Sequence, residues 1–323
     1  MVIESSQTTV DKVIIHSVGN PTRGEDLFLS DQLISLEEDD VRELLSQYFL
    51  GSFQLPEFNS LTSAEDDFEL NPFYPWANEL FQDQTGFVPI SQKIAKYLFD
   101  ITQHQNIKSG DLFVTVLSNL LVQGVMVNAI GIFKCENKEH FLKLKNKRTY
   151  FELSAQEGIS VKRVDKGCLI LNWDKESGYR VLSVDGTNGF EADYWYRDFL
   201  NLKPWSDSYH HTEQFLQLTR DYLSEQMQDE FKASRADQID LLNRSVNYFK
   251  TRDRFDQQEF ESEVLADENV IESFRRFGDE VRQQSNFDII DHFEISAPAV
   301  KRQAKIFKSV LKLDKNFHVP LKR

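Results

Sequence analysis

Three charged residues in the middle of the chain have the types and spacing of a metal-dependent nuclease site. Asp111 begins a segment with strand character, and Glu136 and Lys138 end the next such segment. The two carboxylates could hold Mg²⁺ while the lysine positions a water molecule for attack on a phosphodiester. So short a pattern often arises by chance. We therefore predict a non-catalytic protein with no metal and no cofactor, and keep a Mg²⁺-dependent nuclease as an alternative.

Other patterns of catalytic or cofactor-binding residues are missing from the sequence. The glycine-rich loop Asp185–Gly189 follows a predicted strand, but it matches neither of the common phosphate-binding motifs. His210 and His211 are adjacent, so they cannot share one face of a helix or a strand. No spacing of cysteine and histidine resembles a zinc site. We interpret the loop as a plain turn and both histidines as structural.

Basic residues are concentrated in two segments of an otherwise acidic chain. The net charge is −15, yet the last 23 residues contain eight basic residues and one acidic residue. A basic patch on an acidic body can bind a polyanion on one face and repel it elsewhere, although many such runs are only solvated surface. The DNA-binding residues predicted in this segment are Lys301, Arg302, Lys305, Lys308, Lys312 and Lys315.

The second basic segment covers residues 140–148. Its lysines alternate with uncharged residues, so that Lys143, Lys145 and Lys147 are interleaved with Leu142, Leu144 and Asn146. The period of two in a strand would place the lysines on one face and the leucines, buried, on the other. We predict that the three lysines and Arg148 contact DNA phosphates, which dominate non-specific affinity. Lysines on a solvent-facing edge strand are the simpler alternative.

The predicted elements that position these residues divide the chain into two domains. Residues 1–200 are predicted to form an α+β domain, with a largely antiparallel sheet and flanking helices. Its predicted strands are residues 12–18, 26–34, 111–119, 125–134, 140–145, 167–173 and 179–184. Residues 201–323 are predicted to be mainly helical and to end in a basic β-hairpin formed by residues 306–313 and 317–321. Ser35 and Ser234 are predicted helix caps, and residues 52–75 a loop.

The composition fits a globular protein. Hydrophobic residues make up 40% of the chain and charged residues 28%, and the 26 phenylalanines promise an aromatic core. No apolar run approaches the ~18–20 residues of a membrane span, and the N-terminus does not resemble a secretion signal. We therefore expect a cytoplasmic protein without a membrane partner.

Six segments of the chain carry a family resemblance, namely VIIHSVGNPTRGEDLFLSDQLISL, HQNIKSGDLFVTVL, AIGIFKCENKEHFLKL, NGFEADYWYRDFL, YHHTEQFL and EISAPAVKRQAKIFKSVLKLDKNFHV. These segments resemble the bacterial 37-kDa nucleoid-associated protein family. They occur in order along nearly the whole chain, and the mass of 37.7 kDa agrees. The resemblance implies a bacterial cytoplasmic protein associated with nucleoid DNA. It supplies no catalytic or base-contacting set of residues.

These observations predict a non-catalytic nucleoid-associated protein that binds DNA with little sequence specificity through basic strands. The acidic body departs from the usual small, basic nucleoid protein. The main alternative is therefore an acidic adaptor that reaches the nucleoid by binding a DNA-handling protein. The acid-rich segments at residues 37–40 and 65–69 favour this alternative. The predicted partners are DNA and nucleoid or DNA-handling proteins, and the oligomeric state is left open.

Overall fold

A computed structural model of the chain describes residues 3–54, 57–186, 194–284 and 290–313. The chain divides into two compact units, Met1–Trp205 and Ser206–Arg323. The strands of the first unit are β1 (Ile3–Glu4), β2 (Thr9–Val18), β3 (Leu27–Phe28), β4 (Phe58–Leu61), β5 (Gly110–Val122), β6 (Val125–Cys135), β7 (Glu139–Asn146), β8 (Phe151–Gly158), β9 (Lys166–Leu171), β10 (Arg180–Asp185) and β11 (Leu202–Pro204). Its helices are α1 (Asp39–Leu50), α2 (Phe73–Gln82) and α3 (Phe87–Ile101), with a π-helical turn at Tyr194–Phe199.

Nine strands of the first unit form one antiparallel sheet. The strand order is β11-β4-β10-β9-β6-β5-β2-β3, and β1 also pairs with β5. The long hairpin of β5 and β6 turns at Gln123 and Gly124, whose φ angles of 49° and 83° suit a tight two-residue turn. The predicted α+β class with a largely antiparallel sheet is confirmed.

Helices cover both faces of this sheet. Ile14 of β2 packs in the core that includes Ile94 of α3, whereas the neighbouring Val13 packs in the core that includes Phe49 of α1. The ring of Phe49 stacks on that of Phe133 in β6 at 4.6 Å between centroids. Because both faces are buried, the strand residues 112–117 are buried at every position and show no alternation of apolar and polar residues.

Three local predictions in the first unit are wrong. Residues 52–75 are not one loop, because β4 and the start of α2 lie within them. Within residues 26–34 only Leu27 and Phe28 are paired as a strand. Helix α1 begins at Asp39, and its N-cap residue, Glu38, makes no side-chain capping bond. Each of these predictions rested on a short local pattern, and tertiary packing decided the conformation.

The second unit is built from helices around an aromatic core. Its helices are α4 (Ser208–Asp221), α5 (Met227–Phe231), α6 (Arg235–Lys250), α7 (Gln257–Phe260), α8 (Glu268–Gln284) and α9 (Ala297–Leu313), with π-helical turns at Tyr222–Gln226 and Glu261–Leu265. Strands β12 (Arg254–Asp256) and β13 (His292–Glu294) form a separate pair. Phe215 and Phe255 lie 4.2 Å apart between ring centroids. Ser234 caps α6 as predicted, in a capping box with Asp237.

The predicted C-terminal β-hairpin is wrong in its first strand. Residues 306–313 belong to helix α9, and the second predicted strand, residues 317–321, lies outside the described residues. Buried Val300, Gln303 and Phe307 recur at helical spacing and attach one face of α9 to the unit. Pro298 stands in the first turn of the helix, where its missing N–H is tolerated. The short stretch after Lys305 alternates in the way that is typical of a strand. Over the longer segment, however, the buried residues recur every three to four residues, which is typical of a helix.

His16 of β2 is buried and neutral. Its Nδ1 accepts a hydrogen bond from the Ser30 backbone N–H at 3.1 Å, so the proton lies on Nε2, which is 3.0 Å from Ser91 Oγ. Ser91 Oγ in turn donates to the Val88 carbonyl at 2.7 Å. Burial lowers the pKa of His16 from 6.5 to about 4, because the buried ring loses the hydration that stabilises its charged form.

We therefore expect acid to weaken the fold through His16. The unfolded chain takes up this proton near pH 6.5, whereas the folded chain resists it until about pH 4. The contribution of His16 to stability is thus present above pH 6.5 and is lost as the pH falls toward 4. The free energy of unfolding should drop by about 2 kcal/mol from this group between roughly pH 7 and 5. Urea unfolding of the wild type and of His16→Gln at both pH values measures this contribution. If the difference in stability between the two proteins were the same at pH 7 and pH 5, the prediction would be wrong.

Candidate nucleic-acid interface

Four basic positions of the C-terminal segment lie on one face of helix α9. Positions 301, 305, 308 and 312 recur along α9 at spacings of four, three and four residues, so they lie on one side of the helix. Lys301 and Lys305 are exposed, and the opposite side of α9 is held by buried residues. Lys315 lies outside the described residues. The basic surface predicted here as a pair of strands is therefore a helical one.

A surface cleft of about 390 Å³ lies beside this helix. Its charged lining residues are Lys250, Arg252, Lys301, Lys305 and a single acid, Asp253. Arg252 forms ion pairs with the carboxylates of Glu259 and Glu263 at 3.2 and 2.6 Å. Within the described part of the chain, none of the three lysines has an ion-pair partner. The cleft therefore presents three unneutralised cations to whatever enters it.

Arg302 has a different environment from the lysines of α9. Its guanidinium is 3.1 Å from the carboxylate of Glu213 in α4 and donates a hydrogen bond to the Tyr209 hydroxyl at 3.2 Å. Gln303 donates to the same carboxylate at 3.1 Å. Arg302 therefore ties α9 to α4, and its charge is already largely neutralised for any ligand.

The second basic segment lies on a two-stranded ribbon, β7 with β8, that does not join the main sheet. Lys143 and Lys145 alternate along β7 and share one face of the ribbon, as predicted, opposite Ser154 and Glu152 of β8. Lys147 lies just beyond the end of β7 and forms an ion pair with the carboxylate of Glu152 at 3.2 Å. Arg148 occupies the turn, with a φ angle of 69°.

The prediction that Leu142 and Leu144 are buried beneath this row of lysines is wrong. The two leucines do occupy the other face of the ribbon, but they are 68% and 61% exposed. All residues of β7 are exposed, and in β8 only Gly158 is partly covered. The alternation predicted the two faces correctly. It could not show that no second layer packs against the apolar face.

The structure divides the nuclease-like trio between two ion pairs. Lys138 Nζ contacts Asp111 Oδ2 at 2.8 Å near the surface, whereas Glu136 Oε1 contacts the buried Lys134 Nζ at 3.0 Å. Each carboxylate is thus paired with a lysine, which a metal ion would have to displace. The described residues contain no cluster of three or more His, Cys, Asp or Glu side chains suited to a metal.

Sequence reasoning missed a buried group of charges at this end of the sheet. Lys134 Nζ, Glu136 Oε1 and the Tyr194 hydroxyl are mutually 3.0 Å apart. Lys166 is the strand neighbour of Lys134 and contacts Asp185 Oδ2 at 2.7 Å. Burial lowers the pKa of Lys134, while the charge of Glu136 opposes that shift. The signal was present in the sequence: Lys134 interrupts an apolar strand, and Glu136 follows two residues later on the same face.

The fold and its surface define an acidic α+β protein of two units with exposed lysines on a ribbon and on a helix. The family model described as nucleoid-associated protein YejK matches residues 14–322, and the chain belongs to this family. The predicted family resemblance is thereby confirmed, and a nucleoid-associated role follows from it. No curated protein matches the chain in a direct comparison. Among the described residues, no helix is both long and apolar enough to cross a bilayer.

Proposed function

We propose that the chain binds DNA directly, with little sequence specificity and without catalysis, in the nucleoid of a bacterial cytoplasm. The observation that carries the proposal is the cleft beside α9, where Lys250, Lys301 and Lys305 point three unpaired charges at one surface. Phosphate contacts supply most of the affinity of sequence-tolerant DNA binding, and they depend on such charges. Family membership in a nucleoid-associated group agrees with the proposal.

The length of the basic face of α9 suits a DNA backbone. Positions 301 to 312 span about 16 Å of helix, over which one DNA strand presents about five phosphates. The remaining surface is dominated by acids, because the whole chain carries a charge of −15. Repulsion by that surface would confine DNA to the cleft and to the basic face of the ribbon. Lys143 and Lys145 supply this second contact, whereas Lys147 is partly neutralised by Glu152.

The adaptor hypothesis is also supported by an observation. Residues 37–40 are all exposed acids, and Glu65, Asp66, Asp67 and Glu69 form a second exposed acidic group. Asp66 is paired with Lys203 at 2.6 Å, whereas Glu65, Asp67 and Glu69 have no ion-pair partner in the part of the chain that the structure describes. Such surfaces suit a basic protein partner and would repel DNA. Under this alternative the chain reaches the nucleoid through another DNA-bound protein.

Binding measured by fluorescence anisotropy separates these possibilities. We expect the purified protein to bind two duplexes of unrelated sequence equally well in EDTA, with an affinity that falls steeply between about 50 and 200 mM salt. Absence of binding at the lowest salt would reject direct association and favour the adaptor. A plasmid-nicking assay with Mg²⁺ tests catalysis. Nicking that both Glu136→Gln and Lys138→Ala abolish would instead establish the nuclease.

A further inference from the structure

The ribbon of β7 and β8 has one apolar face that is open to solvent. We call this the apolar face of the ribbon; its members are Leu142, Leu144, Phe151, Leu153 and Ala155, with Leu142 opposite Ala155 and Leu144 opposite Leu153. The four larger side chains are between 59% and 68% exposed. The other face carries Lys143, Lys145 and Glu152 together with the half-exposed Phe141, so most of the apolar residues and all of the lysines of β7 lie on opposite faces.

Such a ribbon needs a partner to be stable. An isolated two-stranded hairpin is at best marginally stable in water, and here nothing in the described part of the chain covers the apolar face. If each large side chain offers about 150–200 Å², the exposed apolar area is on the order of 400–500 Å². The largest apolar patch on a typical soluble monomer has about this size and is often functional.

We propose that the apolar face of the ribbon is covered by the same face of a second copy of this chain. The centre of this face carries no charge, so two copies of it can pack together without electrostatic repulsion. Because the same patch is used on both copies, the contact is a closed twofold one. A polyanion would instead choose the opposite face, where the lysines lie. The proposal therefore does not depend on DNA binding.

The charge distribution also favours a second copy at this place. Two chains of charge −15 repel each other over most of their surfaces. Residues 139–158, in contrast, contain four basic and three acidic residues, so the ribbon is one part of the chain where two copies can approach closely. At the rim, His140 stands opposite Glu157, which adds one negative charge per copy near the contact.

The area that the two ribbons can bury limits the affinity expected of the dimer. Two copies would bury about 800–1,000 Å² in total, which is at or just below the lower limit for stable interfaces. We therefore expect a reversible dimer with a dissociation constant in the micromolar range. It would hold two sets of lysines, Lys143 and Lys145 of each copy, on the outer surfaces of the paired ribbons.

Sedimentation velocity of the full chain over a range of micromolar concentrations tests the proposal. The wild type should shift from monomer to dimer, and Leu144→Asp should remain monomeric because the contact would bury its charge. The matched control is Lys143→Asp, the neighbouring residue on the other face, which should still dimerise. A wild type that is monomeric at every concentration, or a dimer that survives Leu144→Asp, would overturn the proposal.

Cysteine crosslinking provides a second test, in which the expected result is the appearance of a dimer and cannot be caused by misfolding of a variant. Leu153→Cys places a thiol on the apolar face, and Ser154→Cys places one on the charged face. The two native cysteines, Cys135 and Cys168, are buried and free, so they should contribute little background. Mild oxidation should give a disulfide-linked dimer at position 153 and much less at position 154. Equal crosslinking at both positions would show that collisions, not this interface, form the bond.

Discussion

Replacing Lys301, Lys305, Lys308 and Lys312 by glutamine is expected to flatten the salt dependence of DNA binding. Each phosphate contact contributes about 0.9 to the slope of log affinity against log salt, so the loss of four contacts should reduce the slope by about 3.6. Between roughly 50 and 200 mM salt, the affinity of the wild type should then fall about 150-fold further than that of the variant. Fluorescence anisotropy over this salt range measures both slopes.

A control with the same change in net charge separates contact from long-range attraction. Lys93, Lys96, Lys162 and Lys232 are exposed lysines outside α9 and the ribbon. Their joint replacement by glutamine removes four charges but no proposed contact. We expect its salt slope to match that of the wild type, because screened charges far from the DNA release no bound counterions. Equal flattening in both variants, or an unchanged slope in the folded α9 variant, would contradict the assignment of the interface to α9.

The sheet could be predicted from the sequence because its central strands have a clear sequence pattern. Residues 111–119 and 125–134 are long apolar runs rich in β-branched residues and separated by a tight turn, and they became β5 and β6. The short strand β4 could not be found in this way. It contains Asn59 and Ser60, which are buried, and Asn59 accepts a hydrogen bond from the Tyr196 hydroxyl at 2.6 Å. That partner lies in the π-helical turn at Tyr194–Phe199, far along the chain, and only folding brings it to the strand.

Lys301 and Lys305, which line the cleft, were named from the sequence, whereas Lys250 and the helical conformation of this segment were not. The lysines of α9 recur every three or four residues, and this spacing already favoured a helix over the predicted strand. On the ribbon, alternation predicted which residues share a face. It could not predict that the apolar face is exposed, because local periodicity says nothing about whether another layer packs there. Burial depends on contacts between distant parts of the chain, or between chains.

The largest loss of stability is expected from Glu136→Ala. Lys134 and Glu136 are each only 1% exposed at the side chain, so removing the carboxylate would leave a lysine charge buried without its counter-ion. Breaking one side of a buried pair typically costs about 3–5 kcal/mol. Lys134 can avoid a buried charge by losing its proton. Deprotonating a lysine with the usual pKa of 10.5 requires about 5 kcal/mol at pH 7. The penalty should therefore not exceed that value.

The deprotonation of Lys134 predicts a specific pH dependence of the variant's stability. In Glu136→Ala the folded state prefers a neutral Lys134, whereas the unfolded state keeps its proton up to about pH 10.5. The unfolded state then binds more protons, so the stability deficit of the variant should shrink as the pH rises above 7. The double variant Lys134→Met with Glu136→Leu leaves no buried charge and should recover most of the loss. Asp111→Asn, at the more exposed pair with Lys138, should cost no more than about 1 kcal/mol. Urea unfolding of all four proteins at neutral and alkaline pH measures these differences, and a deficit that did not change with pH would mean that packing, not the unpaired charge, governs this site.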